Sequence, residues 1–156
     1  EKLDTKGVLF QNATHNVTPG LTVGTALYEL FEEWVKQQNT YLDITNPDTS
    51  LDSAVTSLKQ TISNFYGHEL VLSLGSLNGK GYYFYFEEKY EKAIEAWEIL
   101  LKFYPSFSEG YLCILDCQKQ LKIDYSGTAK KFKTSLLQST YYSKKEKTYF
   151  SCHYLD

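Results

Sequence analysis

Between residues 77 and 105 the chain sets Leu77, Gly81, Phe84, Ala93, Trp97, Leu100 and Pro105 at spacings that suit two closely packed helices. Small residues belong where helix backbones approach, and Gly81 and Ala93 are small. A large ring at Trp97 fills the gap between the helices. Pro105 cannot continue a helix, because its ring clashes with the preceding turn. The pattern predicts one helix over about 77–88 and a second over about 91–103.

The same residues carry a resemblance to the tetratricopeptide repeat, a helical hairpin of about 34 residues that stacks on its neighbours and binds other proteins. A second, degenerate copy is expected over 107–139. There Tyr111 takes the place of Leu77. Tyr125, Thr128 and Phe132 follow as Tyr90, Ala93 and Trp97 do, one residue further on. The position of Gly81 is held by Leu115. A last short helix is expected over 144–151, with Tyr149 and Phe150 covering the end of the stack. The expected fold is therefore all-α, with tetratricopeptide-like antiparallel hairpins.

The upstream part reads differently. Residues 7–10, Gly-Val-Leu-Phe, fit a short strand remnant, although no partner strand is evident. A polar loop runs to Thr18-Pro19-Gly20. An amphipathic helix is then expected, with Thr22 as its cap and Val23, Ala26, Leu27, Leu30, Phe31, Trp34 and Val35 on its apolar face. After a loop around Asn46-Pro47-Asp48, Ser50 caps a second helix. Its stripe is Leu51, Ala54, Val55, Leu58, Ile62 and Phe65, and Gly67 ends it. Residues 68–76 read as an apolar link. The expected division is 1–67, linking helices at the end of a preceding domain, and 68–156, the helical repeat region.

Composition limits the function. An apolar share of 42% over 156 residues supports a packed core. Net charge is −3, and basic residues interspersed with acidic ones argue against nucleic acid or an anionic membrane as partner. No apolar run reaches the ~20 residues of a membrane span. Cys113, Cys117 and Cys152 give no disulfide framework and read as reduced thiols. No metal set or cofactor motif is expected. The absence of methionine and of a visible signal peptide suits a piece of a longer chain. The sequons at Asn12 and Asn16 read as chance matches. The cysteine count leaves cytoplasm and bacterial periplasm both open.

Candidate chemistry is sparse. His15 follows the expected strand and precedes a long helix, which is where a general base sits in some hydrolases. His68 and His153 read as surface histidines. No Gly-x-Ser-x-Gly elbow occurs, and Gly79-Lys80-Gly81 lacks the rest of a phosphate loop. Glu87, Glu88 and Glu91 read as a solvated acidic edge. Tyr82, Tyr83 and Tyr85, beside Phe84 and Phe86, cover more than one helix face and are candidate interface residues.

Thr14-His15, Thr18-Pro19, Leu21-Thr22, Leu77-Asn78, Gly81-Tyr82 and Tyr90-Glu91-Lys92-Ala93-Ile94 together resemble the C-terminal region of bacterial esterases of the α/β-hydrolase superfamily, the esterase D and siderophore-esterase group. The resemblance implies that His15 is the general base of a serine esterase whose nucleophile lies upstream. It also implies that the helical tail packs on that upstream hydrolase domain, and that the piece alone is inactive. The alternative is a stand-alone protein–protein interaction module, with a peptide or a second copy as partner.

Overall fold

The computed structural model describes residues 7–11, 13, 14, 17–69 and 71–154. These residues form seven helices and no strand: α1 (Thr18–Leu42), α2 (Leu51–Tyr66), α3 (Leu74–Phe86), α4 (Tyr90–Phe103), α5 (Ser108–Gln120), α6 (Ser126–Gln138) and α7 (Lys144–Tyr154). The all-α expectation holds. Residues 7–10 are not a strand. With no second strand beside them, their backbone groups have no ladder to join.

Local signals set most boundaries. The Ser50 side chain accepts the Ser53 N–H at 3.2 Å, and Gly67 ends α2 at φ 70°. Ser73 caps α3 by accepting from Ser76 N–H at 3.1 Å. At α7 the Ser143 N–H donates to the Glu146 carboxylate at 2.8 Å, and the Glu146 N–H donates to Ser143 Oγ at 3.3 Å, a reciprocal cap. Thr22 is not a cap. The helix begins four residues earlier because Pro19 fits the first turn, and the Thr22 hydroxyl donates back to Thr18 C=O at 2.8 Å.

Helices α3 and α5 are both 13 residues long, and they begin 34 residues apart, at Leu74 and Ser108. The turns that follow repeat at the same interval. Glu88 and Lys122 both take the left-handed conformation, at φ 57° and 56°. In each turn the next amide reaches back to a carbonyl five residues earlier: Lys89 N–H to Phe84 C=O at 2.9 Å, Ile123 N–H to Gln118 C=O at 3.1 Å. This is the helix-ending geometry that glycine usually supplies.

One apolar cluster runs from Tyr41 through α2, α3 and α4 to Cys117, with Phe84, Trp97 and Leu100 fully enclosed. A smaller one, Leu115, Phe132 and Leu136, ties α5 to α6 and is flanked by Tyr142 and Phe150. Long-range polar ties also join the first cluster's helices, two of them as helix caps. Glu95 on α4 accepts the Leu51 and Asp52 amides at 2.7 and 3.2 Å and so caps α2 from a distance. Lys80 on α3 donates to Leu42 C=O at 2.6 Å and to Ile44 C=O, capping the end of α1. Burial pushes the Lys80 ammonium down from its ordinary value, against the pull of Asp43.

Helix α1 changes character along its length. Its C-terminal part packs against α2 and buries Tyr41. Its N-terminal part leaves Val23, Leu27, Leu30, Phe31 and Val35 exposed. The Tyr66 hydroxyl sits between these parts. It donates to Leu30 C=O at 2.6 Å and accepts Trp34 N–H at 3.1 Å. Those are two groups that an uninterrupted α-helix pairs with each other.

Candidate interaction groove

A groove of about 950 Å³ opens at one end of the helical stack. The α4–α5 turn contributes Tyr104, Pro105, Ser106 and Phe107. The first turn of α5 adds Ser108, Glu109 and Tyr111, and α6 adds Lys130, Lys131, Thr134, Ser135 and Gln138. Ser139, Thr140, Tyr141 and Tyr142 close it from the α6–α7 turn.

Chain geometry explains the concavity. Consecutive helices reverse direction, so the α4–α5 and α6–α7 turns lie at the same end. Positions 131, 134, 135 and 138 recur at helical spacing and present one face of α6. Ser108 is buried, and its hydroxyl meets that of Ser135 at 2.7 Å across the floor. The walls are held from behind. The Tyr104 hydroxyl donates to Leu72 C=O at 2.9 Å, and Lys147 Nζ donates to Leu137 C=O at 3.0 Å and Ser139 C=O at 2.5 Å. Tyr142 packs edge-on against Phe150 at 5.4 Å. Tyr141, 88% exposed, is left at the mouth.

Charge is segregated along the chain rather than interspersed. Residues 1–118 carry sixteen acidic residues against eight lysines, whereas 119–156 carry eight lysines against three acidic residues. Among the described residues every ion pair lies before residue 119. The α6 wall and the α6–α7 turn of the groove therefore come from the basic part, with Lys130 and Lys131 facing a lining whose one carboxylate is Glu109.

The expected core residues Leu77, Gly81, Phe84, Ala93, Trp97 and Leu100 are buried together, and Phe132 is buried in the second cluster. A Cβ on Gly81 would lie 2.5 Å from Trp97 Nε1, so glycine is required for the approach. The indole N–H donates to Asn78 Oδ1 at 2.9 Å. Pro105 is the exception. It is exposed on the groove wall, and α4 already stops at Phe103 because the residue before a proline avoids helical geometry.

The three candidate interface tyrosines differ. Tyr82 packs edge-on against Trp97 at 5.3 Å and accepts the Cys113 thiol at 3.6 Å. Tyr85 donates to the Asp116 carboxylate, a bond that, with burial, pushes its phenol up to about 12. Both are joints between α3 and α5 rather than free surface. Tyr83 is exposed, beside the Lys80 ammonium at 5.1 Å. His15 lies outside the described residues. His153 stacks on Tyr149 at 4.0 Å. Burial pushes the thiols of Cys113 and Cys117 up to about 11 and about 12, which suits unreactive core cysteines. Among the described residues no group of three or more His, Cys, Asp or Glu side chains could hold a metal ion. None of their helices is long and apolar enough to cross a membrane.

No family model, curated protein or solved structure matches the chain. The hydrolase and esterase reading is corrected on two grounds. The expected strand is absent and the described residues form helices alone, and neither a family model nor a structural match gives that reading support.

Proposed function

We propose that this chain is a tetratricopeptide-like interaction module that binds other polypeptides through its helical stack. The observation that carries the reading is the interval of 34 residues at which helix and turn recur, Leu74 to Ser108 and Glu88 to Lys122. The interlock of Gly81 with Trp97 supports it, as does the close approach of Gly110 on α5 to α4, where an added Cβ would come within 3.1 Å of Leu101. A groove framed by aromatic side chains then gives the module a place to bind.

The exposed stripe of α1 favours a second contact of the same kind. A folded domain joined on the N-terminal side of the same polypeptide would cover Val23, Leu27 and Phe31. Hydrogen exchange comparing this chain with the full gene product tests that contact. Extra protection of 21–31 in the longer protein is expected, and equal exchange would remove it.

Site-specific photo-crosslinking tests the module reading. A benzophenone side chain at position 141 is expected to trap adducts of discrete mass in cells expressing the protein. The same group at position 98, on the exposed side of α4, is expected to trap none. No adduct from 141, or equal yields from both, would overturn the reading.

A further inference from the structure

Resting on the interaction-module reading, we infer that the groove takes an acidic peptide segment of a partner protein, anchored by one aromatic or large apolar side chain. The charge balance comes first. Lys130 and Lys131 stand on the wall with no ion-pair partner among the described residues, whereas Lys92 and Lys102 upstream are paired at 2.6 and 2.5 Å. Their neighbourhood, residues 119–156, holds five more lysines than acidic residues. A carboxylate-bearing segment is the partner that such a surface attracts and orients.

The lining sets the second requirement. Tyr104, Phe107, Tyr111 and Tyr142 present rings, while Ser106, Thr134 and Gln138 offer polar groups for a peptide backbone. Tyr141 at the mouth is available to close over a bound side chain. A volume of about 950 Å³ accepts a short segment and not a folded domain.

Lysine chemistry narrows the ligand further. The chain has no arginine. Lysine is a compact point charge without the planar fork that grips a phosphate or carboxylate bidentately. Recognition therefore depends on several distributed carboxylates and weakens steeply with salt. Nucleic acid fits less well, because Glu109 stands on the wall and residues 1–118 carry a net excess of eight acidic residues.

Fluorescence anisotropy on the full chain tests this, using a fluorescein-labelled peptide Asp-Glu-Trp-Glu-Asp-Glu at low ionic strength. The expected result is binding at least about tenfold tighter than its Lys-for-acid counterpart. Lys130→Glu with Lys131→Glu should weaken it by at least about tenfold, and Tyr141→Ala by about threefold. All three side chains are exposed, so these variants keep the wild-type helical circular dichroism. Equal binding of the two peptides, or no loss in the charge-reversed variant, would overturn the inference. So would displacement by a short single-stranded oligodeoxynucleotide at lower concentration than by unlabelled peptide. Adducts from position 141 without acidic-peptide binding would remove the ligand class alone. Absence of both would remove the module reading with it.

Discussion

The two hairpins α3–α4 and α5–α6 share a turn geometry but not a core. In the first, Gly81 lets α3 settle onto Trp97, and the ring is wholly enclosed. In the second, Leu115 stands where Gly81 did, and the ring is the smaller Phe132, within a cluster of three buried residues. The second hairpin thus carries a larger side chain at the close-approach position and a smaller ring opposite, and cores respond to single side-chain volumes. The first hairpin is closed and structural. The second stays open at one end, and the groove lies there.

Removing each ring is the strongest way to test that contrast. Trp97→Ala is expected to cost about 4–5 kcal/mol in urea unfolding, and Phe132→Ala about 3 kcal/mol, both within the range for large aromatic truncations. Equal costs would break the distinction between a closed and an open hairpin. Next comes the close approach. Gly81→Ala drives a methyl into the indole and is expected to cost about 1–3 kcal/mol. Gly110→Ala meets the Leu101 side chain at 3.1 Å and Leu100 at 3.5 Å, far less tightly than at Gly81, and gains helix propensity, so its net effect is expected within about 0.5 kcal/mol of zero. A larger loss at Gly110 than at Gly81 would reverse the ranking.

The shared turns predict equal responses. Glu88→Gly and Lys122→Gly relieve the same left-handed strain, and each is expected to add about 0.5–1 kcal/mol. Thermal melts showing a gain at only one site would mean that the turns are not equivalent. The thiols locate the closed core. Exposed Cys152 should react quickly with iodoacetamide near pH 8, and Cys113 and Cys117 slowly until the chain unfolds. Mass spectrometry after brief labelling gives the order.

The smallest effect is in the α7 cap. Hydrogen bonds from Ser143 hold the Glu146 carboxyl below its ordinary value. Its folded value is depressed, so its contribution is present above the unfolded value of ~4.3 and is lost as the pH falls through the folded value. The protection factor against hydrogen exchange over 144–150, which removes the intrinsic slowing of exchange in acid, should therefore fall at acid pH in the wild type. In Glu146→Ala it should be low throughout. An unchanged pH profile in that variant would assign the effect to another group.

Much of the scaffold was legible because its signals are local. Ser50 and Gly67 bound α2, and Ala93, Trp97 and Leu100 lie at helical spacing. The turn equivalence was hidden because Glu88 and Lys122 hold a conformation that glycine would have advertised. That Tyr82 and Tyr85 join α3 to α5 is not legible locally, because their partners, Cys113 and Asp116, are 31 residues away. The groove is not legible either, because its walls come from separate turns. Its charge was readable by counting lysines in each part of the chain, since all eight downstream lysines face only three acids.

By itself the sequence determined the helical class, most helix boundaries and the Gly81–Trp97 core, since periodicity, capping and volume act over a few residues. Only the tertiary structure decided that Lys130, Tyr104 and Tyr141 share one groove, and that Pro105 belongs to its wall. The distant caps at Glu95 and Lys80 are of the same kind. Each joins residues tens of positions apart, and chain reversal, not local propensity, brings such groups together.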